Sequence, residues 1–156
     1  MKINLGSIES LDQNFKLNAW IGVDLDGTLA HYDEFKGWNV IGDPIPDMIK
    51  QIKEWRSKGI TVKILTARAS EASCKLSNIT RDQIEDVIHA WCQKHIGEKL
   101  PVTSEKDHFM IFSCDDSVVQ IIKNKGIPIS KDGYTVFNDV LQKLTVKEEK
   151  DGKENS

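Results

Sequence analysis

Cysteine is scarce in this chain: three residues in 156, at positions 74, 92 and 114. An odd count without the paired short spacings of zinc ligands speaks against both a structural zinc site and a disulfide framework. The three read as reduced thiols of a cytoplasmic protein. The four histidines, His31, His89, His95 and His108, show no ligand spacing either and read as structural or surface residues. No apolar run approaches the ~20 residues of a membrane span, and the polar N-terminus does not read as a signal peptide, so no membrane partner is expected. Positive charge is not in excess. With 21 Lys and Arg against 24 Asp and Glu the net charge is -3, which gives no general reason to expect nucleic acid, although a local basic patch stays open. There is no internal repeat. The last ten residues, 147–156, carry charge and no apolar side chain, the composition of a disordered tail. That leaves 1–146 as one domain, long enough for a real core.

What the chain does have is an alternation of apolar strands and amphipathic helices. Residues 1–17 fit neither period, Ile3 and Leu5 alternating with polar neighbours without fixing a strand. Residues 18–25 read as the first strand. Residues 30–43, with aromatics at 32, 35 and 38 around Gly37, have no helical period and suggest a short flap or hairpin. Pro44 and Pro46 open a helix over about 47–58, with Met48, Ile49, Ile52 and Trp55 as its stripe and Gly59 as its stop. Ile60–Leu65 is a strand. A polar loop is expected over 69–79. Thr80-Arg-Asp-Gln83 then has the form of a capping box, starting a helix that carries Ile84, Val87, Ile88, Trp91 and Cys92 and stops near Gly97. Strands follow at Leu100–Thr103 and Phe109–Ser113. Residues 117–123 fit a buried helix or a strand; their four β-branched residues favour a hairpin turning at Asn124-Lys-Gly126 and returning over 127–130. Residues 135–145 suggest a last helix or strand. Strands alternating with helices predict an α/β fold with a mainly parallel sheet covered on both faces. In such sheets ligands sit beyond the C-terminal strand ends.

Reactive residues fall at those ends. The first strand runs into Asp24-Leu-Asp26-Gly27-Thr28. Residues two apart on an extended backbone share a face, so Asp24 and Asp26 are both able to face one small volume, with Gly27 allowing a sharp turn. Two carboxylates in one cleft make a hard-oxygen site for Mg²⁺, and allow one to attack while the other handles protons. The second strand ends in Thr66-Ala67-Arg68, whose hydroxyl and amides suit a phosphoryl oxygen. Lys106 precedes the strand 109–113 and is able to neutralise phosphate or crowded carboxylates. Asp115-Asp116 follow that strand.

The order and placement of these segments resemble the four motifs of the haloacid dehalogenase-like (HAD) superfamily: Asp-x-Asp-Gly-Thr, a strand ending in Thr, a Lys before the last core strand, and paired acids after it. The resemblance covers residues 19–116, and the run of Thr-x-x-Lys-Asp, strand, Asp-Asp and Val-x-Gln is similar to small members from phages and bacteria. It implies a Rossmann-like three-layer fold and a Mg²⁺-dependent phosphatase acting on a phosphomonoester through an aspartyl-phosphate. By that resemblance Asp24 is the nucleophile and a Mg²⁺ ligand, Asp26 the acid–base and, through its carbonyl, a second ligand. Thr66, Ala67 and Lys106 hold the transferring group, and Asp115 with Asp116 completes the metal site, either being the direct ligand.

Specificity in the superfamily comes mostly from cap insertions, and here only the flap is long enough to act as one, so no large cap is expected. An open site suits a phosphate on a large molecule, or a small substrate enclosed by an oligomer partner. Tyr32, Phe35 and Trp38 are read as packing the flap onto the body rather than stacking on a base. Arg68 suits either a substrate phosphate or a surface acid. Two other classes stay open: a binding or regulatory module with little turnover, and a nucleic-acid end-processing phosphatase, which would show a basic stripe from Lys123, Lys125 and Lys131 beside the cleft.

Overall fold

The computed structural model describes residues 12–144. They divide into two compact units, one ending at Asp116 and one beginning at Ser117. Ile3 and Leu5, and the tail expected over 147–156, lie outside the described residues.

In the first unit the apolar run after Ala19 becomes β1 (Trp20–Val23), all four residues buried. Thr61–Leu65 forms β2, where Val62 and Ile64 point to the core while Thr61, Lys63 and Leu65 face the other way. Val102–Thr103 is β3 and Met110–Cys114 is β4. The four strands are all parallel, in the order β3-β2-β1-β4. The expected parallel α/β sheet is therefore present, with each strand within a residue or two of its predicted span.

Helix α2 (Pro46–Ser57) connects β1 to β2, and α4 (Arg81–His95) connects β2 to β3. Both steps move the same way across the sheet, so right-handed crossovers put both helices on one face. One buried cluster records this: Ile21, Val23, Val62 and Ile64 of the strands pack with Ile52 of α2 and Ile84, Ile88 and Trp91 of α4. Residues 104–109 carry the chain from β3 to β4 with no helix. The helix that would build the third layer of the expected arrangement is absent from that crossover. The segment is held instead by Asp107, whose carboxylate accepts the Trp20 indole N–H at 2.8 Å, while the Lys63 ammonium sits 4.5 Å over the Trp20 ring.

The helix ends follow local chemistry. Pro46 occupies the first turn of α2, where its missing N–H costs nothing; Pro44 stays outside, bridged to Ala30. The Thr80–Gln83 capping box of α4 forms as predicted, and Gly97 leaves the helix at φ +96°. The polar stretch 69–79 is not a loop. It holds the end of a 3₁₀ turn (Ala67–Ala69) and helix α3 (Glu71–Ser77), capped by the Ser70 hydroxyl and closed by Asn78 at φ +53°. Only Cys74 of α3 is buried and Leu76 is 90% exposed, so no apolar stripe betrays this helix in the sequence. Before β1, Asp12 caps a short α1 (Gln13–Asn18), whose Phe15 packs on His108 and Phe109.

In the second unit the hairpin preferred over a helix is realised in outline. Ile122 N–H donates to Ile127 O at 2.8 Å and Ile129 N–H to Gln120 O at 2.9 Å, around a turn with Asn124 and Gly126 at positive φ. The two expected strands reduce to one isolated bridge, Ile121 with Pro128. Proline has no N–H to extend the ladder. A 3₁₀ turn (Thr135–Phe137) leads into helical residues 138–144, the helix rather than the strand of the two forms expected there.

Candidate functional site

The register carries three predicted residues to one edge. Val23 pairs with Ile64 on one side and Cys114 on the other, and Asp24 N–H continues the ladder to Cys114 O at 2.9 Å. One step further, β1 ends in Asp24, β2 in Thr66 and β4 in Asp115. These are neighbouring strands, as the spacing requires.

The turn after β1 is tightly built. Leu25 O accepts N–H bonds from Leu29 and Ala30, and all three side chains are fully buried, fixing the turn to the core. Gly27 sits at φ +87°, and a Cβ there would come within 2.5 Å of Asp116 Oδ2. Thr28 Oγ1 accepts Asp116 N–H at 3.1 Å and donates to Asp116 Oδ1 at 3.3 Å. The Gly-Thr pair therefore seats Asp116 beside the turn. Oxygens of Asp24, Asp115 and Asp116 lie within 4.8 Å of one another. Burial, and then the charge of Asp115, push the Asp24 carboxyl up from 3.8 to about 7; Asp116 and Asp26 add to the rise and the Leu25 N–H opposes it. Asp24 and Asp115 are half-buried and Asp116 is exposed; carboxylates crowded this way hold their charge at a cost, which a cation placed among them would offset.

Asp26 is not one of the three. Both its oxygens are held by Arg68, through Nε at 2.7 Å and Nη2 at 2.8 Å. Arg68, its side chain only 9% exposed, also donates to the carbonyls of Trp38 and Val40 at 2.9 Å and of Gly37 at 3.3 Å. Of the two partners the sequence left open for Arg68, an acid is the one it meets, and that acid is Asp26. The attachment to the flap had no sequence signal, because it runs to backbone carbonyls.

Thr66 is buried, and its hydroxyl accepts the Arg68 N–H at 3.2 Å, starting the 3₁₀ turn of which the exposed Ala67 is the first residue. Lys106 is exposed and forms no ion pair among the described residues. The next residue, Asp107, is tied to Trp20 at the far end of β1.

The base of the flap is closed by His31 N–H to Asp43 O at 2.8 Å, and the Trp91 indole donates to Gly42 O at 3.0 Å. Trp38 packs against the core as expected, whereas Tyr32 and Phe35 are 43% and 62% exposed. Among the described residues no helix is long and apolar enough to cross a membrane. Compared with known proteins, the chain matches no family model, no curated protein and no solved structure.

Proposed function

We propose that this chain is an HAD-like, Mg²⁺-dependent phosphomonoester hydrolase in which Asp24 is the nucleophile. The observation that carries the reading is the meeting of Asp24, Asp115 and Asp116 at the C-terminal ends of adjacent parallel strands, with Asp116 seated by Gly27 and Thr28. The donor chemistry suits Mg²⁺: all three offer hard carboxylate oxygens, within 4.8 Å of one another. Bound there, the ion would screen the carboxylates and draw charge from a phosphoryl oxygen.

The chain's own residues supply the rest. An Asp24 oxygen attacks phosphorus in line; the bond to the leaving oxygen breaks, and that oxygen takes a proton from Asp26. Asp26 then removes a proton from water, which attacks the phosphorus of the acyl-phosphate and returns Asp24 as carboxylate with free phosphate. Thr66 contributes a hydroxyl beside the reacting group, and the amide of Ala67 a donor at the open start of its turn. Each Asp26 oxygen takes one bond from Arg68 and keeps a second lone-pair site, which is where the proton for the leaving oxygen would be carried. Lys106 would neutralise charge on the transferring group.

The test is turnover of an aryl phosphate by purified protein with Mg²⁺. Asp24→Asn is expected to abolish it, because an amide forms no acyl-phosphate, and Asp26→Asn to reduce it about 10²–10⁴-fold. Beryllium trifluoride, a mimic of the phosphoryl group on Asp, is expected to bind the wild type and not Asp24→Asn. Undiminished turnover in Asp24→Asn overturns the nucleophile. Absence of turnover across nucleotides, sugar phosphates, phosphopeptides and phosphorylated oligonucleotide ends favours a binding module, to which the engagement of both Asp26 oxygens already lends support.

A further inference from the structure

One guanidinium, its side chain 9% exposed, makes five hydrogen bonds here, two to the carboxylate of Asp26 and three to carbonyls of the flap tip, Gly37, Trp38 and Val40. Its backbone is placed independently, by the Thr66 hydroxyl that accepts its N–H. We propose that Arg68 is the positioning residue of this site: it sets the orientation of Asp26 and fastens the flap tip beside it, so that the two move as one element. The inference rests on the phosphatase reading for its catalytic consequence and on the geometry alone for its mechanical one.

The physical case is the fork. Arg presents its donors in one rigid plane, and here Nε and Nη2 take the two carboxylate oxygens while Nη1 and the outer side of Nη2 take the carbonyls. The Val40 carbonyl and the Asp26 carboxylate both bond Nη2, at 2.9 and 2.8 Å, so flap backbone lies within two hydrogen-bond lengths of the proposed acid–base. A leaving group protonated by Asp26 must therefore lie against residues 37–40. No point-charge side chain reproduces that arrangement. Lys would keep the charge and lose the simultaneous bonds.

Two measurements test it. The first compares Arg68→Ala, Arg68→Lys and wild type on an aryl phosphate, whose leaving oxygen needs little proton help, and on an alkyl phosphate, whose leaving oxygen needs much. Arg68→Ala is expected to lose about tenfold more in kcat on the alkyl substrate than on the aryl one, with Arg68→Lys intermediate. A merely structural role would lower both equally, and equal losses overturn the positioning role. The second is trypsin cleavage after Lys36, next to the flap tip, under native conditions without substrate. It is expected to be about tenfold faster in Arg68→Ala than in wild type, and near wild type in Asp26→Asn, which leaves the three carbonyl bonds in place. Unchanged cleavage in Arg68→Ala overturns the fastening whatever the enzyme's activity. Wild type inactive on both phosphates refutes the phosphatase reading and the catalytic part of the proposal, while the cleavage result still decides the mechanical part. Should Arg68→Ala fail to fold, Arg68→Lys carries both measurements in the same direction.

Discussion

Replacing Asp24 by Asn should make the metal-free protein more stable while abolishing the proposed phosphatase activity. Asn matches Asp in shape, and its carbonyl is able to keep the bond from Leu25 N–H, so the change removes charge and little else. In the folded chain the carboxyl is raised from 3.8 to about 7, by burial first and by Asp115 second. At ~1.4 kcal/mol per tenfold change in proton affinity, that rise amounts to ~4 kcal/mol of opposition to folding when the group is charged. Asp24 is only half-buried, so solvent screening brings the expected figure to ~2 kcal/mol. The sign follows from linkage: the folded state holds the proton more tightly than the unfolded one. The penalty is absent below pH ~4, grows between 4 and 7, and is complete above about pH 7. Urea unfolding of wild type and Asp24→Asn in EDTA, at pH 8 and pH 4.5, measures it. The variant should be the more stable by ~2 kcal/mol at pH 8, roughly 5 °C in Tm, and the gap should fall to about half of that at pH 4.5. With Mg²⁺ at pH 8 the order should reverse, since the ion stabilises the folded state by its affinity and Asp24→Asn weakens that affinity. A variant no more stable than wild type at pH 8 in EDTA would refute the crowding of charge on which the metal argument rests.

Other expectations follow from single contacts. Gly27→Ala places a methyl 2.5 Å from Asp116 Oδ2 at a backbone angle that disfavours side chains, so Mg²⁺ affinity by calorimetry should fall at least tenfold while the circular dichroism of the sheet persists. Asp115→Asn should raise the Mg²⁺ concentration needed for half-maximal turnover; unchanged dependence in both it and Asp116→Asn would remove the metal role of the pair. Thr80→Ala breaks the capping box of α4 and should cost about 1 kcal/mol in urea unfolding with turnover intact. Trp91→Phe leaves Gly42 O without its indole donor and should cost about 1–2 kcal/mol, with faster proteolysis of the flap.

The linear chain by itself determined whatever depends on local period and local punctuation. The strands at Trp20, Thr61 and Met110, the stripe of α2 and the capping box of α4 are repeats of two or three to four residues, and physics reads such patterns without reference to distant parts. The parallel order of the strands followed from alternation, and with it the gathering of Asp24, Thr66 and Asp115 at neighbouring strand ends. Contacts between distant positions were decided only by the tertiary structure. Helix α3 escaped notice because Glu71–Ser77 buries one residue and shows no stripe. The two expected strands of the second unit shrank to one bridge because Pro128 cannot donate to a ladder. The tie between Asp107 and Trp20, 87 residues apart, likewise has no local signal. Most consequential is Arg68, whose partners lie 42 residues away at Asp26 and 28 to 31 away on flap carbonyls. A carbonyl is offered by every residue alike, so no pattern of side chains announces which three the guanidinium will take. Only the folded backbone, bringing the turn after β2 against the flap, makes that choice.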